Sequence, residues 1–314
     1  MSKFLKALEQ AEQERALRHQ AHRPAPTEPA AARPTATLEP AAGQPVREVS
    51  PETPDRVEEH LVSLLAPTSF EAEQYRGLRH LIEQLHKSTD LSVVAVSSPG
   101  GGDGKTTTAV NLAGALAQAP EGRVLLVDAD LRRSSLVTRL GLAGPADRGL
   151  VDAILDPGLS LEALVQRCPP FNLFVLPAGR LPSAPYEVLK SPRTGELLQE
   201  ARRAYDFVVL DTPPLVSMPD CRVIGKWVDG FVIVVGAHRT PRKLLEEALN
   251  VMDPSKIVGL IFNGDDRPLP GYSYAYRGSS NGAGADRWSR AVTRAGSSLK
   301  RRFGRLRTRR TSAR

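Results

Sequence analysis

The strongest chemical signal in the sequence is a run of glycines followed by Lys-Thr. Residues 97–108 read SSPGGGDGKTTT and follow an apolar run over residues 91–96. Glycine-rich backbone can bring its amides close to phosphate oxygens, a lysine adds positive charge at the β- and γ-phosphates, and a Thr hydroxyl binds Mg²⁺. The consensus phosphate loop has a glycine six residues before its lysine, where this chain has Pro99. We nevertheless predict that ATP is bound by Gly101, Gly102, Asp103, Gly104, Lys105, Thr106 and Thr107.

Three aspartates follow apolar runs that have the pattern of buried strands. Asp128 and Asp130 come after Val124–Val127, and Asp211 comes after Phe207–Leu210. Aspartate in such a position is often only a loop or helix cap, but parallel strands bring their carboxyl ends to one edge of a sheet, where ligands bind. An acid placed like Asp211 holds Mg²⁺ or its water shell in P-loop enzymes. The candidates are Lys105, Asp128, Asp130 and Asp211 for catalysis, and Thr106, Asp128 and Asp211 for the metal ion.

The surrounding pattern predicts the elements that must position these groups. Between Leu91 and Asn263 short β-branched runs alternate with helical stretches, which is typical of a mostly parallel sheet covered by helices on both faces. The fold class is therefore predicted as α/β, of the P-loop NTPase type. The predicted strands are Ser92–Ser97, Arg123–Val127, Phe171–Leu176, Phe207–Leu210, Phe231–Val235 and Ile257–Phe262, and the predicted helices are Thr106–Gln118, Arg193–Tyr205 and Arg242–Val251. Asn263 follows the last strand, where it can hydrogen-bond a purine edge or form a turn.

The rest of the chain divides by composition. We predict a short helix over residues 1–20, a flexible Pro- and Ala-rich linker over 21–57, a folded domain over 58–266 and a disordered tail over 267–314. A helix over residues 68–86 opens the folded domain, with Thr68 and Glu71 as its capping box.

The net charge of +7 belongs to the tail. After Asp286 the final 28 residues carry eleven Lys or Arg and no acid, which leaves 31 bases against 35 acids, a net charge of −4, for residues 1–286. Such a run is usually a solvated end, or it binds an anionic membrane surface at about 1 kcal/mol per basic residue. Nucleic acid is not expected as a partner, because charge alone gives only non-specific binding and no base-reading motif occurs. Two cysteines without metal spacing and apolar runs of strand length indicate a cytoplasmic protein.

Together these motifs resemble the bacterial tyrosine kinases, which are P-loop kinases of exopolysaccharide and capsule production. The resemblance covers Thr68 to about Asn263 and rests on the GKT loop, on DADLRR at 128–133 and on DTPP at 211–214. It implies ATP and Mg²⁺ as cofactors and a protein tyrosine as the phosphate acceptor. Asp128 and Asp130 are the alternatives for accepting the tyrosine proton.

The resemblance also implies a phosphorylation site at the C-terminus. The family autophosphorylates a tyrosine cluster there, and in this chain PGYSYAYRG holds Tyr272, Tyr274 and Tyr276. An ordinary aromatic loop is the alternative interpretation of this segment.

Self-association is a further implication of the resemblance. The family has a Glu-x-x-Arg-x-x-Arg helix that assembles the kinase into a ring, and FEAEQYRGLRHL matches it with Glu73, Arg76 and Arg79. The alternative is an exposed helix face with ordinary i,i+3 ion pairs. The chain further resembles the split form of the family, in which a separate membrane-embedded polysaccharide co-polymerase activates the kinase. Such a kinase is expected at the inner face of the cell membrane.

Two other classes of function stay open. A partitioning or division-site ATPase has the loop KGGxGKT, whose first lysine falls on Gly100 in this chain. The absence of that lysine favours the kinase branch, although the kinase loop usually has its proline four residues before the lysine and Glu in place of Asp103. The remaining class is a nucleotide-binding adaptor of the polysaccharide machinery without kinase activity.

Overall fold

The structure is a computed structural model of the 314-residue chain, and it describes residues 47–48, 57–119, 122–142, 147–169 and 171–265. Three predicted features lie outside the described residues: the helix over 1–20, the tyrosine cluster at 272–276 and the basic tail. Most of the predicted linker does as well. Within that linker, Arg47–Glu48 forms a two-residue strand.

The described chain forms an eight-stranded sheet. Its strands are β1 (Arg47–Glu48), β2 (Val93–Ser97), β3 (Val124–Asp128), β4 (Gln166–Cys168), β5 (Leu173–Leu176), β6 (Phe207–Asp211), β7 (Gly230–Gly236) and β8 (Ile257–Asn263). Their order across the sheet is β1-β4-β5-β3-β6-β2-β7-β8. β4 is parallel to β1 and antiparallel to β5, and every other neighbouring pair is parallel. β2, which leads into the phosphate loop, lies between β6 and β7.

Helices cover both faces of this sheet. They are α1 (Val62–Leu65), α2 (Phe70–Thr89), α3 (Lys105–Leu116), α4 (Leu136–Arg139), α5 (Leu150–Leu155), α6 (Leu161–Leu164), α7 (Pro185–Lys190), α8 (Pro192–Ala204), α9 (Asp220–Ile224) and α10 (Arg242–Asn250), and a 3₁₀ turn spans Pro254–Lys256. Among the described residues no helix is both long and apolar enough to cross a membrane.

The central strands are buried on both sides, which explains their unbroken apolar runs. Val93 and Ala95 of β2 face one core together with α5, α8 and α10, whereas Val94 and Val96 face a second core together with α2 and α3. A strand whose alternate residues enter two different cores cannot show the apolar–polar alternation of a half-exposed strand. The predicted α/β class is confirmed.

Among the described residues the predicted strands and helices are present, with one error in how a helix begins. Each of the six predicted strands lies within two residues of its predicted bounds. The capping box at Thr68 and Glu71 is wrong, because the N-cap of α2 is Ser69, whose hydroxyl accepts a hydrogen bond from the Ala72 amide at 3.1 Å. Ser69 has the extended backbone that an N-cap requires. The helix also continues beyond residue 86 and ends where Asp90 adopts the left-handed conformation.

Candidate active site

The predicted phosphate loop lies at the carboxyl end of β2, near the middle of the sheet. β2 ends at Ser97 and α3 begins at Lys105, with Gly104 as the residue before the first turn. Gly102 and Gly104 have φ angles of 85° and 93°, a region that residues with a side chain avoid. The loop therefore curves around the start of a twelve-residue helix whose free amides and dipole favour a phosphate group.

The predicted catalytic residues converge beside this loop. Asp128 on β3 and Asp211 on β6 are direct register partners, and Asp130 follows β3. The Lys105 Nζ lies 2.7 Å from Asp130 Oδ2 and 3.5 Å from Asp211 Oδ1. All three carboxylates are at most 2% exposed. One ammonium group thus stands among three buried acids.

A single lysine faces these acids, and burial raises the pKa values of two of them, Asp128 and Asp211. Burial and the charge of Asp211 raise the pKa of Asp128 to about 7, although two backbone amides donate hydrogen bonds to its Oδ2. Burial raises the pKa of Asp211 to about 6, against the opposing attraction of Lys105. Burial alone would lower the pKa of Lys105, but Asp211 and Asp130 outweigh it and raise that pKa. The site is short of positive charge.

Two orphaned oxygen atoms show what the site can accept. Asp128 Oδ1 and Asp211 Oδ2 are buried and have no hydrogen-bond partner, an arrangement that is costly unless a ligand completes it. Interaction with the Thr106 hydroxyl acts to lower the pKa of Asp211, against the effect of burial. Among the described residues no group of three or more acidic, His or Cys side chains forms a ready-made metal cage. Mg²⁺ suits the two partnerless carboxylate oxygens, because it keeps several waters and takes one or two carboxylates plus phosphate oxygens.

Two residues predicted to bind ATP are engaged within the protein. The Asp103 carboxylate accepts hydrogen bonds from the Thr240 hydroxyl and the Gly100 amide. The side-chain nitrogen of Asn263 donates to the Asp103 carbonyl at 3.0 Å. Asn263, the last residue of β8, therefore lies beside the loop, and its amide group holds the loop. The other loop residues keep their predicted positions, with Gly101 and Gly102 exposed and Thr107 in the first turn of α3.

The predicted self-association residues lie on α2 and make contacts within the chain. Arg76 pairs with Glu73 and also reaches the Pro67 carbonyl. Arg79 pairs with Glu83 at 2.6 Å and donates to the Ala115 carbonyl at 3.0 Å. Glu73 and Arg76 keep more than a third of their side chains exposed, whereas Arg79 is 23% exposed. Their role in a ring stays a prediction.

The sequence did not predict one ion pair close to the site, in which the acid is buried and the base is 32% exposed. Arg132, two residues after Asp130, contacts Asp220 through Nε at 3.0 Å and a second nitrogen at 3.3 Å. Asp220 opens α9 and is fully buried. The pair therefore ties the segment that carries Asp128 and Asp130 to the segment that follows β6. Arg132 is visible in the DADLRR motif, but no local pattern marks Asp220.

This combination of fold and site defines a P-loop nucleotide-binding protein, and residues 91–224 match the family model described as an AAA domain. The tyrosine-protein kinase YwqD of Bacillus subtilis is 35% identical over 229 residues, which are 72% of this chain and 94% of YwqD. The chain belongs to the bacterial tyrosine-protein kinase family. The tyrosine-protein kinase CpsD of Streptococcus agalactiae is 32% identical over 61% of this chain and 82% of its own length. In the succinoglycan biosynthesis transport protein ExoP of Rhizobium meliloti, 33% identical, the match covers 64% of this chain and only 26% of the relative.

Solved structures agree with this assignment. The kinase domain of the Escherichia coli tyrosine kinase ETK superposes with a TM-score of 0.59 at 27% identity, covering 69% of this chain and 84% of that domain. The chimerical protein CapA2B2 gives a TM-score of 0.60 at 26% identity, covering 69% of this chain and 92% of the chimera.

Proposed function

We propose that this chain is an ATP-dependent protein tyrosine kinase that phosphorylates tyrosines of its own C-terminal segment. The observation that carries the proposal is the placement of Lys105 between Asp130 and Asp211, beside two buried carboxylate oxygens that lack a partner. Membership of the tyrosine-protein kinase family supplies the class of acceptor. A lysine and amides for the phosphates, with acids for a metal ion, are the parts that phosphoryl transfer requires.

The reaction assigns a task to each group. The tyrosine oxygen attacks the γ-phosphorus of ATP, the bond to the β-phosphate oxygen breaks, and ADP leaves while the phenolic proton passes to a carboxylate. Lys105 and the loop amides hold the β- and γ-phosphates in line with the attacking oxygen. When bound, Mg²⁺ neutralises charge on the phosphates next to Thr106, Asp128 and Asp211. Asp128 and Asp130 are the candidates for the proton acceptor, and asparagine variants of each distinguish them.

The acceptors proposed are Tyr272, Tyr274 and Tyr276. Three of the six tyrosines of the chain fall within five residues there, next to Ser and Ala. Phosphopeptide mass spectrometry of protein incubated with Mg²⁺ and ATP tests this site. Phosphate found only on Tyr75, Tyr186 or Tyr205 would remove it.

The pathway proposed is exopolysaccharide or capsule synthesis, with a separate membrane-embedded polysaccharide co-polymerase as activator. The name of ExoP, a succinoglycan biosynthesis transport protein, supports this association. The basic tail is proposed to hold the kinase at the anionic inner face of the membrane. Co-sedimentation of the full chain with anionic and neutral vesicles tests this, and equal binding to both would contradict it.

Assembly into a ring through α2 is proposed from the exposed parts of Glu73 and Arg76. Light scattering of the wild type and of Arg76→Glu tests this assembly, since charge reversal should shift the protein towards the monomer. Glu187→Lys, which reverses an exposed acid on α7 and touches none of the self-association residues, is the control. Equal mass for all three proteins would contradict the ring.

Incubation with γ-labelled ATP separates the three classes of function. A tyrosine kinase retains label on the protein, a partitioning-type ATPase releases free phosphate, and an adaptor does neither. Lys105→Met and Asp128→Asn are expected to retain no label. Phosphotyrosine that persists on both purified variants would contradict the assignment of the site.

A further inference from the structure

One side chain of the phosphate loop turns away from the phosphate side. Asp103 is only 6% exposed, and its carboxylate makes two hydrogen bonds inside the protein. Oδ1 accepts from the Thr240 hydroxyl at 2.6 Å, and Oδ2 accepts from the Gly100 amide at 3.2 Å. A carboxylate directed at a triphosphate would repel it. This orientation instead gives the charge two donors and keeps it off the nucleotide.

The residue that receives Asp103 belongs to a closed turn after β7. The Thr240 hydroxyl accepts a hydrogen bond from the Gly236 amide at 2.8 Å, and the Thr240 amide donates to the Gly236 carbonyl at 2.9 Å. A Cβ atom on Gly236 would lie 2.9 Å from Asp103 Oδ1, so a side chain there would push the carboxylate away. The turn is therefore shaped to admit Asp103 at close range.

The backbone of the loop is fixed to the same edge of the sheet. Asn263, the last residue of β8, donates its side-chain N–H to the Asp103 carbonyl at 3.0 Å. A Cβ atom on Gly104 would lie 2.0 Å from that nitrogen, and a Cβ on Gly100 would lie 3.0 Å from Leu244 of α10. The loop is thus bonded to the turn after β7 and to β8, and it lies close to α10.

We propose that Asp103 is a positioning residue, which together with Thr240 and Asn263 holds the phosphate loop in its binding conformation through β7 and β8. The side chain of Asp103 acts on the nucleotide only through the loop. This inference rests on the nucleotide site of the proposed function, but it requires no phosphate transfer to tyrosine. Anchoring reduces the loop freedom that binding must otherwise remove.

Nucleotide affinity and amide exchange of the loop test this anchor in the full chain. Thr240→Val removes the hydroxyl at nearly equal volume, and Asp103→Ala removes both acceptors. Each is expected to speed hydrogen exchange at residues 100–106 of the nucleotide-free protein about tenfold and to weaken binding of fluorescent ADP about tenfold. Thr240→Ser keeps the hydroxyl and should restore both values. The double variant Asp103→Ala/Thr240→Val should bind ADP no more weakly than the weaker of the two single variants, since both substitutions break the same contact.

Thr194→Val is the matched control, because the buried hydroxyl of Thr194 on α8 donates to the Val188 carbonyl of α7 at 3.2 Å and to no loop residue. It should leave loop exchange and ADP affinity unchanged. Two results would overturn the anchor: affinity losses that multiply in the double variant, or weakened affinity with loop exchange of the free protein unchanged. Either would make Asp103 a direct ligand. If the wild type forms no phosphotyrosine while these effects appear, the proposed function fails and the anchor stands.

Discussion

The two ends of the central strands differ in how they satisfy the carboxylates of aspartates. At the amino end, the Asp229 carboxylate accepts hydrogen bonds from the amides of Ser92 at 2.9 Å and Val93 at 2.7 Å and from Arg202 at 2.6 Å. Burial acts to raise its pKa, but these donors outweigh it and lower the pKa. At the carboxyl end, Asp128 and Asp211 each keep a partnerless oxygen, and their pKa values rise to about 7 and about 6.

The difference shows at which end the carboxylates have all their hydrogen-bond donors within the protein and at which end they need a ligand. The same residue type contributes to stability at one end because every oxygen has a donor. At the other end it costs stability until a cation and phosphates arrive. Perturbed carboxylates in a cleft are typical of functional sites, and this contrast within one sheet makes the assignment specific.

The largest expected effect is on the rate of autophosphorylation, which should depend on a cation at the carboxyl end and not on one at the amino end. Lys105→Met should reduce the initial rate of autophosphorylation about 10³-fold, because the charge on the transferring phosphoryl group loses its ammonium partner. Arg202→Met removes a cation of the opposite end and should retain the rate at a temperature where it is folded. Quantitative phosphotyrosine immunoblots over time measure both. Similar losses in the two variants would erase the functional distinction between the ends.

The next effect concerns stability at the amino end. Asp229→Ala should lower the free energy of unfolding by about 3 kcal/mol, since two backbone amides and a guanidinium group lose their acceptor and the pair is only about one quarter exposed. Urea unfolding followed by circular dichroism measures the loss. ADP affinity of the folded variant should equal that of the wild type. A weaker ADP affinity would mean that this end also shapes the site.

At the carboxyl end, neutralising an aspartate is expected to raise the free energy of unfolding. A raised pKa means that Asp128 supports folding while protonated, below its unfolded pKa of about 4, and loses that support as pH rises towards 7. Asp128→Asn stays neutral and keeps an acceptor for the Ser135 and Leu136 amides. Its free energy of unfolding should therefore be about 2 kcal/mol higher than that of the wild type at about pH 8 in the presence of a chelator. One pKa unit is worth about 1.4 kcal/mol, and the expected gain is smaller than the whole shift of Asp128 because Asp211 shares that shift. The gain should vanish near pH 4. A variant less stable than the wild type at pH 8 would contradict the proposed cost of burying Asp128 in its charged form.

The smallest effect is the acid titration of Asp229. Its lowered pKa stabilises the fold above the unfolded pKa, and this contribution disappears as pH falls through the folded value. The wild type should lose about 1 kcal/mol more than Asp229→Asn between about pH 5 and pH 3. Parallel urea titrations across this range measure the difference. Equal losses in the two proteins would remove the contrast with Asp128.

Local patterns were sufficient for most of the fold and for the centre of the site. Strands such as β2 and β3 were predicted because their residues are apolar on both faces, and the phosphate loop because its glycines and lysine are contiguous. β4 escaped prediction because Gln166–Cys168 is three residues long, with one buried position. The N-cap of α2 was misplaced by one residue because Thr68 and Ser69 are adjacent candidates with similar side chains.

Residues that support the site from a distance left no such pattern. Thr240 is 137 positions from Asp103, and Asp220 is 88 positions from Arg132. Nothing in the neighbouring sequence distinguishes either residue from an ordinary turn or helix start. Only the pairing of β7 with β2, and the path of the chain from β6 into α9, gives them partners. Asn263 was predicted to bind a purine edge or to form a turn, and its hydrogen bond to a loop carbonyl required the three-dimensional structure.

The buried thiol of Cys221 can serve as a chemical probe of local opening next to this site. Its sulfur donates to the Pro213 carbonyl at 3.1 Å, directly after the strand that carries Asp211, and the residue is 1% exposed. Burial raises its pKa to about 11. Alkylating reagents attack the thiolate, so labelling records the moments when this turn opens to water. In a Cys168→Ser background, the rate at which Cys221 is alkylated, measured with and without nucleotide, would report how often this turn opens.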